Sequence, residues 1–209
     1  MNKENQFLLV IELKKNTDFK NNNMRLDHIA YRVKDRYKTA KFLEDTLGYT
    51  TGHEFQITFQ DGTNADCIAL LPPEKRSKKV DEWTMNINPG LITFPPQDGY
   101  PLHAPPEIFV SDGPVGSIVG DWVRKRDNVG GIHHLAYEVQ DVEKTMNEWK
   151  DKGYVEFLSE EPLKCQEPKL TQVFSKPSEL TGVIYELIQR EDDKGFCEKN
   201  VEQLMESTR

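Results

Sequence analysis

The sequence predicts an α+β fold in which one β-α-β-β-β unit is used twice. Three observations predict it. "RLDHIAYRVKD" (25–35) and "GIHHLAYEVQD" (131–141) superpose, matching His28 with His134, Ala30 with Ala136, Tyr31 with Tyr137, Val33 with Val139 and Asp35 with Asp141. Self-similarity on this scale marks two copies of one supersecondary unit. Each copy then switches from period two to helical apolar spacing. Finally, Gly48-Tyr49 recurs as Gly153-Tyr154 with a single residue of slippage.

Each copy opens with a strand rich in β-branched and aromatic residues. Asp35 and Asp141 then stand where a carboxylate can accept from free backbone amides and start a helix. Helices are expected at 37–47, with Tyr37, Ala40, Leu43 and Leu47 facing a sheet, and at 142–152, with Val142, Met146 and Trp149 doing the same. Gly48 and Gly153 fall at the C′ position. Further strands are expected near 50–59, 66–71 and 107–111 in the first copy, and near 154–158, 171–174 and 182–189 in the second. A C-terminal helix follows at 195–207.

The domain reading is an extension at 1–23, polar and turn-rich after "FLLVIEL", and a single domain at 24–209. Within it, module one covers 24–111 and module two covers 131–190. Eight of the twelve prolines lie from Pro72 to Pro106, so the insertion 72–106 is neither helix nor central strand. An irregular segment of that length reads as a lid.

A net charge of −8 argues against nucleic acid or an anionic membrane as partner. The longest aliphatic run, at 7–11, falls far short of the roughly 20 residues that span a bilayer. Cys67, Cys165 and Cys197 have no paired or metal-type spacing, which suits a reducing cytoplasm.

Strand alternation sorts the histidines. His28, Ala30 and Arg32 share one face of the first strand; His134, Ala136 and Glu138 share one face of its repeat. The opposite faces are aliphatic and aromatic and must meet the helices, so His28 and His134 point into the interior. His133, aligned with Asp27, is expected on the helix side. In "GVIYELIQ", Glu186 shares a face with Ile184 and Ile188, where a carboxylate is costly to bury unless paired or bound to metal. Two imidazoles and one carboxylate form the ligand set of non-haem Fe(II) with open coordination positions. The set also suits Zn, Mn, Co or Ni. The plainer alternative is two core histidines and an edge-strand glutamate. His53 and His103 read as surface or loop residues.

With these residues in place, the paired modules resemble the vicinal oxygen chelate superfamily, which includes glyoxalases, methylmalonyl-CoA epimerases, extradiol dioxygenases and 4-hydroxyphenylpyruvate dioxygenase. The resemblance covers 25–209 apart from the insertion. It implies a cupped, barrel-like mixed sheet with helices outside, and metal on His28, His134 and Glu186. "GGIHHLAYEVQDVEKTM" and "FSKPSELTGVIYEL" are similar to methylmalonyl-CoA epimerases. "VIYELIQREDDKGFCEKNVEQL" resembles the closing pattern of the dioxygenase, and "LTQVFSKP" resembles one of its strands. That branch implies Fe(II), a substrate such as a 2-oxo acid, Gln172 as a substrate-binding residue and Phe196 at the mouth of the site. Val201 stands where the dioxygenase has a ring-stacking phenylalanine, and Asp66-Cys67 where it has Asn-Ser. The epimerase and glyoxalase branches imply a fourth ligand or a proton-moving carboxylate on the last strand of module one, at Glu107 in one alignment and Ala69 in another. A homodimer is implied by analogy.

Overall fold

Aspartates start both repeated helices and glycines end them. The computed structural model describes residues 24–73, 83–87, 90–94, 106–153, 155–191 and 195–209. The first unit runs β1 (Arg25–Arg32), α1 (Arg36–Leu47), β2 (Thr50–Thr58), β3 (Asn64–Leu71), a hairpin of β4 (Trp83–Ile87) and β5 (Gly90–Phe94), then β6 (Glu107–Asp112). A short helix, α2 (Ile118–Arg124), links it to the second unit. That unit runs β7 (Gly131–Glu138), α3 (Val142–Lys152), β8 (Leu163–Gln166), β9 (Lys169–Phe174) and β10 (Ile184–Arg190), followed by α4 (Glu198–Glu206). Asp35 accepts from the Lys38 amide and Asp141 from the Lys144 amide, each at 2.9 Å. Gly48 and Gly153 close their helices at φ 75° and 71°, a conformation that only glycine adopts without cost.

Eight strands form one mixed sheet in the order β2-β3-β6-β1-β7-β10-β9-β8. The two units meet at the antiparallel β1–β7 pair, and each central strand is flanked by a parallel partner, β6 beside β1 and β10 beside β7. The sheet curls into a half-barrel, so the predicted α+β fold is the observed one. The helices of the repeats cover its outside. Ala40 and Leu43 of α1 pack on Ile68, Leu70, Ile108 and Val110, and Val142 and Met146 of α3 on Val173 and Leu187. On the face that carries Ala30 and Phe109, Ile118 and Val119 of α2 and Val201 and Met205 of α4 complete a second apolar cluster.

Several local expectations change. Tyr37 and Leu47 do not join the buried face of α1; both are more than half exposed, and Tyr37 instead carries Arg36 over its ring. The segment near 155–158 forms only an isolated bridge, Phe157 to Ser175, because Pro162 and a run of bends follow it. "LKCQ" pairs with β9 instead, a short edge strand whose exposed Lys164 and Gln166 hid its alternation. The proline-rich insertion contains the β4–β5 hairpin, apart from the main sheet. Its residues 74–82, 88–89 and 95–105, with the lid reading and His103, lie outside the described residues, as does the extension 1–23. Cys165 and Cys197, 32 residues apart, are joined in a disulfide with Cα atoms 6.4 Å apart. The absence of paired spacing was misleading, since strand packing makes pairs that spacing does not show. The bridge therefore removes the cysteine argument for a reducing compartment. No helix among the described residues is long and apolar enough to cross a membrane.

Candidate metal centre

Across the β1–β7 pair, each histidine faces the alanine of the other module: His28 stands opposite Ala136, and His134 opposite Ala30. Both alanines are buried, and their single methyl groups leave room for imidazoles to lean over the sheet. On the next strand, Glu186 lies in parallel register with Ala136. His28, Ala136 and Glu186 thus form one row across three strands, with His134 one step aside.

The result is a buried convergence of three donors. His28 Nε2 and His134 Nε2 are 3.3 Å apart, and Glu186 Oε2 lies 3.3 Å from the first and 3.1 Å from the second. All three side chains are nearly inaccessible, and their ligand atoms lie within 4.8 Å of one another. Lone pairs aimed at a common point in a low-dielectric interior require a cation between them. In the metal-free chain a proton serves. Burial opposes charge on His28, but Glu186 and Asp27 outweigh it and raise the ring to about 9. Burial likewise opposes charge on Glu186, yet the two histidines bring it down to about 2. A triangle with edges near 3.2 Å also suits three donors sharing one ion through bonds of about 2.1 Å, so the residues fit a divalent metal.

The two histidines are held by their predecessors. The β1–β7 register slips twice, leaving Asp27 unpaired on β1 and His133 unpaired on β7. A bulged residue is re-aimed relative to strict alternation. Asp27 Oδ1 accepts from His28 Nδ1 at 2.9 Å, and His133 Nδ1 lies 2.9 Å from His134 Nδ1. His133 is therefore beside the site, not on the helix side as alternation predicts. Both bonds fix the tautomer that turns Nε2 toward the cluster. Asp27 is gripped in turn by Arg190, Nε at 3.0 Å and an Nη at 3.1 Å. Burial pushes the Asp27 carboxyl up, but His28 and Arg190 prevail and hold it well below its ordinary value. His133 sits well below the usual imidazole range because burial, reinforced by Arg32, disfavours its charge. Neutral His133 can accept the His134 proton.

Glu186 has a support of its own. Gln172 donates to Glu186 Oε1 at 2.6 Å and accepts from Asn200 of α4 at 3.1 Å. Its amide is thus engaged on both sides, holding the carboxylate. Phe196 precedes α4 and packs edge-on against His28, with ring centroids 5.0 Å apart. Glu107 stays outside the cluster. It stands in register with His28, while Phe109 occupies the place on β6 that Glu186 occupies on β10, each opposite its module's alanine. Ala69 pairs with Phe109 one strand further out. A cavity of about 20 Å³ adjoins the triad, lined otherwise by Phe109, Gln172, Phe174, Phe196, Val201, Leu204 and Met205. Sequence reasoning missed Asp27, His133 and Asn200. The signal that could have found the first two was a polar residue directly before each repeated histidine.

Comparison with known proteins agrees with this architecture. A triple mutant of 4-hydroxymandelate synthase from Streptomyces coelicolor aligns with a TM-score of 0.64 and 19% identity, over 88% of this chain and 53% of that one. The chain thus spans about half the length of the synthase. A methylmalonyl-CoA epimerase aligns at 0.54 and 21% identity, over 80% of this chain and 95% of that one. The Streptomyces coelicolor epimerase, solved with 2-nitronate-propionyl-CoA, aligns at 0.51 and 22% identity, over 80% and 98%. These likenesses establish the fold. No curated protein matches at the sequence level. Residues 27–164 match the family model described as Glyoxalase/Bleomycin resistance protein/Dioxygenase superfamily, a span that includes both histidines though not Glu186. The chain belongs to that superfamily.

Proposed function

We propose that the protein is a metal-dependent enzyme in which His28, His134 and Glu186 hold a divalent ion, Fe(II) by preference, and that it is a dioxygenase acting on a 2-oxo acid or a similar substrate with vicinal oxygens. The observation that carries this reading is the buried convergence of three donors among the described residues, each with its own supporting hydrogen bond. A metal so held would supply open coordination positions for the two vicinal oxygens of a substrate and for dioxygen. The chain's own part is orientation and exclusion of water. Asp27 and His133 fix the imidazoles, Gln172 fixes the carboxylate, and Phe109, Phe174 and Phe196 make an apolar wall that keeps the reacting face dry.

Two features favour an oxygenase over a proton-transfer enzyme. Beyond the three donors, Gln172 is the only polar side chain among the described residues that line the cavity, and an amide cannot shuttle a proton. Phe109 fills the position where a fourth protein ligand would complete the symmetry of the modules. The second reading is an epimerase or lyase with Glu107 moving the proton. It is supported by the epimerases of similar fold, which align over 80% of this chain. A homodimer is proposed by analogy of fold alone.

Oxygen uptake decides between them. The Fe(II)-loaded protein should consume oxygen with at least one member of a panel of 2-oxo acids and catechols, and Glu186→Ala should not. Substrate turnover that continues under strict anaerobiosis would establish the epimerase or lyase reading instead.

A further inference from the structure

Arg32 is only 2% exposed, the largest of the fully buried side chains, and it shares the inner face of β1 with His28. The other structured arginines of the interior and its rim are matched with carboxylates: Arg25 with Glu138, Arg36 with Asp112 and Arg190 with Asp27. Arg32 has no carboxylate partner among the described residues. One Nη donates to the Thr208 hydroxyl at 2.8 Å, and Nε is buried without an acceptor. Burial pulls the guanidinium down to about 9 with no carboxylate to counter it. An uncompensated buried charge is among the most costly features a fold can carry. Its surroundings lead toward the triad. Its guanidinium lies 6.0 Å from the Trp122 ring, Trp122 packs edge-on against His133 at 5.9 Å, and His133 touches His134.

We infer that Arg32 is an anion-recognition residue, and that with Thr208 it forms a subsite for a carboxylate near the triad. Geometry selects the class: Nε is the donor left to an anion, while one Nη is held by Thr208. A planar guanidinium also matches a carboxylate geometrically. Thr208, a neutral hydroxyl just beyond α4, fills one donor until the anion arrives. The assignment rests on the metal reading only for what lies next to it.

The test is thermal unfolding of the full chain in acetate, pyruvate or sulfate, at ionic strength matched with chloride. Wild type should gain about 2–4 °C in acetate or pyruvate, and Arg32→Met should gain nothing. In chloride alone, Arg32→Met should melt at or above wild type, because removing an unpaired buried charge relieves its cost. Arg32→Lys, which keeps the charge but not the planar fork, should show a weakened response. Metal content of Arg32→Met should equal that of wild type. Carboxylate stabilisation that survives in Arg32→Met, or that is absent from wild type, overturns the proposal. So does a larger response to sulfate than to acetate, or a drop of several degrees for Arg32→Met in chloride, which would make Arg32 a structural residue. His134→Ala separates the two readings: if it loses metal but keeps the acetate response, the subsite stands on its own, and if wild type binds no metal yet responds to acetate, only the metal reading fails.

Discussion

Asp27 and His133 occupy the same place in the two modules, each the bulged residue before a site histidine, and each lies 2.9 Å from the Nδ1 of its neighbour. The repeat has preserved the device while changing its chemistry, a carboxylate in one module and a neutral imidazole in the other.

Replacing Asp27 with Asn should lower metal affinity by about 10–100-fold. The amide still fills the space but no longer raises the basicity of His28. Competition with a chromophoric chelator on the folded variant measures this. An affinity equal to wild type would reduce Asp27 to a partner for Arg190.

Glu186→Gln should abolish tight metal binding while leaving the chain folded, since the amide can still bond Gln172. Bound metal is read by elemental analysis after dialysis. Stoichiometric metal in this variant would remove the carboxylate from the site.

Metal uptake should depend on pH in a definite direction. The metal-free His28 ring holds its proton up to about 9, and an incoming ion must displace it. Apparent affinity should therefore climb by about tenfold per pH unit below that value and level off above it. Titrations at three pH values between 6 and 8 suffice, and a flat series would exclude His28 as a ligand.

Ala136→Leu should uncouple the row. The residue is fully buried between His28 and Glu186, so a larger side chain wedges the two apart. The expected cost is about 1–3 kcal/mol of stability from overpacking, together with loss of metal. Denaturant unfolding and metal analysis on the same sample test both parts. Retained metal would show that the row has slack.

Much of this was legible from residues 25–35 and 131–141. The repeat located the module strands, alternation aimed His28, His134 and Glu186 inward, and the capping aspartates set the helix starts. Alternation failed at Asp27 and His133 because it assumes an unbroken ladder, and a bulge is a property of the pair of strands rather than of either one. The same limit hid Phe109: its equivalence to Glu186 exists only in the register of β6 on β1. Gln172 entered only through the resemblance, as a substrate-binding residue, whereas its grip on Glu186 depends on Asn200, delivered by a helix 28 residues later. The Cys165–Cys197 bridge lies in the same class, made by packing rather than spacing.

The small cavity beside the triad has a thermodynamic consequence. At about 20 Å³ it has room for roughly one water, because Val201, Leu204 and Met205 of α4 fill the space that an organic molecule would need. If the triad takes an organic substrate, as proposed, only the fraction of molecules in which α4 has drawn back would bind it, and the observed dissociation constant would be the intrinsic one divided by that fraction. Substitutions that loosen α4 without touching the triad would then tighten substrate binding even as they lower the melting temperature, so that affinity and stability move in opposite directions.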